Sequence, residues 1–245
     1  ANLYSFGISS KYGMKFFRYS LAIVAALALS AGAAYGANSL DVNGSAAQDG
    51  SYGLEINLDG SANRVYVQDN SPDSETTYRA SFWIHRNDMF MDNCGGSCST
   101  RIVMFLARQE APDATVFRII YGRLAVDGAG GPRYNIRFGV RNDNGDFVYM
   151  GGVILTTGVA RKHVTVEWQQ GSAPFANDGI ARLYTSNDGG TPNLQFERTT
   201  MMTGSYDIDH VRIGATSGTD DQPSDVNTTG SWYFDTFESY RTLLP

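Results

Sequence analysis

Between Arg133 and Arg141 the chain reads RYNIRFGVR, with Tyr134, Ile136, Phe138 and Val140 on one parity and Arg133, Asn135, Arg137 and Arg141 on the other. A helix would scatter these residues around its axis, whereas a pleated strand sends them to opposite faces, so the segment is a half-buried β-strand. The same parity puts Tyr78, Ala80, Phe82 and Ile84 inward against Arg79, Ser81, Trp83 and His85 outward. It also puts Val164, Val166 and Trp168 inward against His163, Thr165, Glu167 and Gln169 outward. Residues 102–107 (IVMFLA) are apolar on both parities, which predicts a strand covered on both sides.

Further strand candidates lie at 54–58, 65–68, 116–124, 147–155, 180–185, 194–198, 208–215 and 231–240, with turn chemistry at Asn144-Gly145 and Asp188-Gly189. No amphipathic helix longer than two turns follows residue 37. About a dozen antiparallel strands bury their apolar parity best as two stacked sheets, so the expected class is all-β, a two-sheet antiparallel sandwich or jelly roll. The polar stretches 41–50 and 218–230 are loop-sized, and 37–245 is expected to be one domain.

Met14-Lys15-Phe16-Phe17-Arg18, the apolar run 20–31 and Ala34-Tyr35-Gly36 have the order of a secretory signal peptide spanning 14–36. Residues 1–13 then read as upstream sequence, and the mature chain begins at Ala37. Removing Lys11, Lys15 and Arg18 leaves 16 basic against 25 acidic residues, a net charge of −9. A chain so acidic is repelled by phosphate backbones, so nucleic acid is excluded as a partner, and no membrane anchor follows the leader. Export, to the periplasm or the exterior, suits Cys94 and Cys98, which are expected to form a disulfide across a Gly-rich turn. Two thiols alone cannot complete a zinc site.

Tyr52-Gly53-Leu54, Tyr66-Val67-Gln68-Asp69, 75–82 (ETTYRASF), 163–168 (HVTVEW), 209–215 (DHVRIGA) and 233–239 (YFDTFES) occur in an order that resembles the concanavalin A-like (laminin-G-like) jelly-roll domains of secreted bacterial proteins. The resemblance covers nearly the whole mature chain and implies a sandwich with one concave sheet. Members of that superfamily bind glycans, bind proteins or cleave polysaccharides.

The laminarinase-like enzymes of the superfamily carry Glu-x-Asp-x-x-Glu or Glu-x-Asp-x-Glu on one strand, because two carboxylates must flank the scissile bond. That motif is absent; Asp207-Ile208-Asp209 has no Glu partner. No nucleophile elbow or phosphate loop is present either. The primary expectation is therefore a non-catalytic carbohydrate-binding module for an extracellular or cell-surface glycan. The expected platform is Trp83, His85, Asn135, Arg137, His163 and Glu167, an aromatic for stacking and planar polar groups for hydroxyls. The alternatives are a structural or adhesive domain assembling through sheet faces, and a polysaccharide-cleaving enzyme. No cofactor is required. Asp220, Asp221 and Asp225, with Asp235 in the last strand, are the candidate ligands for a structural calcium ion.

Overall fold

The structure is a computed structural model, and it describes residues 38–61, 64–92, 101–124, 127, 131–155, 161–187, 190–217 and 228–244. In chain order the strands are β1 (Ser39–Asn43), β2 (Gly53–Asp59), β3 (Val65–Asp69), β4 (Thr77–His85), β5 (Phe90–Met91), β6 (Arg101–Gln109) and β7 (Ala114–Arg123). They continue as β8 (Tyr134–Arg141), β9 (Phe147–Leu155), β10 (Arg161–Gln169), β11 (Asn177–Ser186), β12 (Asn193–Met202), β13 (His210–Ser217) and β14 (Thr228–Tyr240). No helix occurs among the described residues.

The strands form two antiparallel sheets packed as a jelly-roll sandwich. One has eight strands in the order β1-β2-β14-β4-β10-β11-β12, with β5 paired to β14; the other has six, β3-β13-β6-β7-β8-β9. The inward parities meet in one core, where Tyr78, Phe82, Phe105, Phe117, Phe138, Trp168, Trp232 and Phe234 are all at most 1% exposed. Phe82 and Phe105 join the two layers with ring centroids 5.4 Å apart. Burying such rings is the main apolar contribution to the fold, and each Phe→Ala change should cost about 3–5 kcal/mol.

Strand β6 is apolar on both parities because it is covered twice. Its inward side joins the main core, while Val103 and Leu106 join Ile120 in a second cluster on the outer face, with Tyr149 packed against it. The Asn144-Gly145 turn closes the β8–β9 hairpin, with the Asn142 N–H donating to the Asp146 carbonyl at 2.8 Å. The sequence reading is corrected at β1, which falls at the start of a stretch read as loop. SLDVN is short and polar because it is an edge strand that hydrogen-bonds only to β2, so little apolar parity is required of it. The leader 14–36, Cys94, Cys98 and the Asp188-Gly189 turn lie outside the described residues.

Candidate functional site

The sheet order places β14, β4 and β10 side by side, although they come from distant parts of the chain. On their outer face the register aligns Tyr233, His85 and Arg161 across the three strands, and in the next row Asp235, Trp83 and His163. Directly opposed residues in antiparallel strands have Cα atoms about 4.5–5.5 Å apart, so six chemically active side chains share a patch three strands wide.

Each is held by an identifiable contact. His85 stacks on Tyr233 with centroids 5.8 Å apart and planes at 17°. The His85 Nδ1 accepts the Asn87 N–H at 3.1 Å, which leaves Nε2 to carry the proton of the neutral ring. His163 meets the edge of Trp83 at 5.1 Å. Arg161 lies with Cζ 4.6 Å from the Trp83 ring centroid and donates to the Gln48 carbonyl at 2.8 Å, forming no ion pair among the described residues. Burial lowers both histidines below their ordinary range; the charges of Arg86 and Arg161 lower His85 further, while Glu238 acts in the opposite sense on His163. Both imidazoles are therefore neutral near pH 7 and can exchange protons.

Asp235 is an anchor. Its carboxylate accepts the N–H groups of Gln48, Asp49 and Thr236 at 2.6, 2.7 and 2.6 Å. The β1–β2 loop is thus tied down over the patch rim, and Asp235 is engaged with backbone donors rather than presented to a cation. Among the described residues no cluster of three metal-ligating side chains occurs. Asp220, Asp221 and Asp225 lie outside the described residues. Gly53 permits the loop to lie this close, because a Cβ there would stand 2.2 Å from the Ala46 carbonyl oxygen.

The platform expected from sequence is divided by the fold. Trp83, His85, His163 and Glu167 belong to the eight-stranded sheet, whereas Asn135 and Arg137 belong to β8 of the six-stranded sheet. All six have the outward parity expected, but outward from opposite layers, so no single ligand face contains them. Trp83 is only 6% exposed, because Arg161 and His163 cover its ring, so it is not an open stacking surface.

Glu167 is corrected as well: it is 0% exposed. Its carboxylate accepts from Arg182 Nη1 at 3.3 Å, from the Tyr184 hydroxyl at 3.1 Å and from the backbone N–H of Leu244. The segment after β14 crosses this end of the sheet and seals the carboxylate beneath it. Burial, then the charge of Glu167, raises the Tyr184 phenol above its ordinary range, which keeps it protonated as a donor. Arg161 and Tyr233 escaped the sequence reading. Their parity matches His163 and Asp235, but nothing local to residues 228–240 signals that they will lie beside residues 77–85.

A cleft of about 570 Å³ opens at the edge of the sandwich between β9 and β11–β12, lined by Ile154, Lys162, Asn187, Asn193, Gln195 and Phe196. Lys162 donates to Asn187 Oδ1 there at 2.5 Å. None of the residues selected from sequence lines this cleft.

No family model matches the chain, and no curated protein matches it. Among solved structures it is similar to an endo-β-1,4-glucuronan lyase from the fungus Trichoderma reesei, with a TM-score of 0.50, 15% identity, and coverage of 84% of this chain and 87% of that one. It is also similar to the cellulose induced protein Cip1, with a TM-score of 0.52, 12% identity, and coverage of 84% and 86%. At such identities the likeness is one of fold. It nonetheless overturns the expectation of a non-catalytic module: a lyase is built on this sandwich, so the missing paired-carboxylate motif does not argue against catalysis.

Proposed function

We propose that this protein cleaves an acidic polysaccharide by β-elimination on the outer face of its eight-stranded sheet. The observation that carries the reading is the two-row grid of Tyr233, His85 and Arg161 over Asp235, Trp83 and His163. Elimination from a uronate requires a base for the proton α to the carboxylate, a cation to hold the carboxylate as charge develops, and an acid for the leaving oxygen. Neutral His163 takes the α proton. Arg161 and the His85 Nε2–H hold the carboxylate. The carbon–oxygen bond breaks with its electron pair leaving on the glycosidic oxygen, which receives a proton from the Tyr233 hydroxyl, and a carbon–carbon double bond remains in the new non-reducing end. Of the carboxylates near the grid, Asp235 is bound to three N–H groups and Glu167 is sealed, so neither is presented as a hydrolytic acid or base.

The similarity to a glucuronan lyase supports this chemistry on this fold without naming the substrate. The leader at 14–36 would deliver the enzyme outside the cytoplasm, with Cys94 and Cys98 paired there. The test is ultraviolet absorbance of unsaturated uronate on incubation with glucuronan, alginate and polygalacturonate. His163→Ala should lower the rate about 10²–10⁴-fold with the fold intact. Absence of unsaturated product from all three, or full activity in His163→Ala, overturns the proposal.

A further inference from the structure

The opposite side of the sandwich carries a second arrangement that the grid does not use. On the outer face of the six-stranded sheet the registers align Gln68, Arg212, Leu106, Arg118, Gly139 and Tyr149 across all six strands. The neighbouring row places Arg137 between Ile120 and Gly152. Gly139 is what lets the Tyr149 ring lie flat over β8, since a Cβ there would stand 2.5 Å from Tyr149 Cε1. The ring then serves two arginines: Arg137 Cζ is 5.0 Å from its centroid, and Arg118 donates to its hydroxyl. Phe147 serves two from its side, with Arg118 Cζ at 4.0 Å and Arg141 Cζ at 4.9 Å. Arg141 is further fixed by the carbonyls of Thr115 at 2.9 Å and Gly145 at 3.2 Å. Arg212 lies 4.7 Å over Tyr66 and donates to Gln68 Oε1 at 2.7 Å.

Four guanidinium groups are thus oriented by rings, carbonyls, a phenol and an amide, and none of the four forms an ion pair among the described residues. Arg118 Nε is buried with no acceptor among the described residues. Other arginines of this protein are met by carboxylates, as Arg108 is by Asp113 and Arg241 by Glu75. Here the charges are held in place without a directly paired carboxylate among the described residues, in a chain whose overall charge is −6. Like charges gathered on one face of an acidic protein make a field that draws a polyanion. A polymer laid across the strands meets successive arginines about 5–10 Å apart, from the strand spacing.

We infer that this arginine–aromatic face is a second binding surface for an acidic polysaccharide, remote from the grid, where it retains the polymer while the grid acts on it. The inference takes its ligand class from the proposed function, but it concerns binding alone and can fail separately. The experiment is affinity electrophoresis of the full chain in gels containing alginate or polygalacturonate, with neutral dextran as control. Wild type should be retarded by the acidic polymers only, with retardation weakening as salt rises. Arg118→Gln/Arg137→Gln should reduce retardation at least tenfold while unsaturated-product formation from short oligosaccharides persists. His163→Ala should show the converse, lost turnover with retardation kept. Arg137→Glu/Arg212→Glu, two side chains with few contacts to lose, should abolish retardation and guards against misfolding of the first variant. Wild-type mobility unaffected by acidic polymer, retardation unaltered in both arginine variants, or equal retardation by dextran overturns the inference.

Discussion

Glu167→Ala should behave as a stability mutation. The carboxylate is 0% exposed and accepts three hydrogen bonds, so its removal strands three donors of unequal cost. Arg182 is 21% exposed and retains Glu197 at 2.6 Å, so its loss is about 0–1 kcal/mol. Tyr184 is half-buried and can turn to water, losing the net value of one hydrogen bond, about 0.5–1.5 kcal/mol. The Leu244 N–H, pinned against the sheet, loses the acceptor that Glu167 provides, at a cost of about 1–3 kcal/mol. Together these come to about 1.5–5.5 kcal/mol, which is a substantial part of the 5–15 kcal/mol typical of a domain. In urea the midpoint should fall by about 1 M with the slope unchanged. Leu244→Pro removes the same donor from the other side, because proline has no N–H. The two changes should therefore couple, the double variant being about 1 kcal/mol more stable than the sum of the single losses predicts. A Glu167→Ala variant within 0.5 kcal/mol of wild type, or strict additivity with Leu244→Pro, would refute the assignment of this carboxylate as a clasp.

Other outcomes follow from the same contacts. Trp83→Ala should lower stability by about 3–5 kcal/mol in chemical denaturation, since the ring is covered rather than open; a neutral effect would show it to be a surface residue. Gly53→Ala should push the 46–49 loop off the sheet and loosen Arg161 through Gln48, costing about 1–3 kcal/mol and raising the KM for polymer cleavage; unchanged KM and thermal midpoint would count against the loop's role. The pKa values of His85, His163 and His210 are all lowered by folding, so the unfolded chain binds more protons below about pH 6.5, and stability should decline as pH falls from there through the folded values. Thermal midpoints that rise on acidification across that window would contradict the burial. The cleavage rate should likewise fall on the acid side, as His163 takes up the proton it must accept.

Parity along each strand was legible in local sequence because a pleated backbone alternates its side chains whatever surrounds it. Residues 133–141, 163–169 and 78–85 therefore declared both their strand character and their buried faces, and the double burial of 102–107 was readable from the same rule. The outward side of a strand is a direction relative to its own sheet, however, and local pattern does not say which sheet that is. Only the order β14-β4-β10 brought Tyr233, His85 and Arg161 into one row and sent Asn135 and Arg137 to the other layer. Only the crossing of residue 244 over β10 turned Glu167 from a surface carboxylate into a sealed acceptor, because burial of an outward group depends on chain that arrives from far along the sequence.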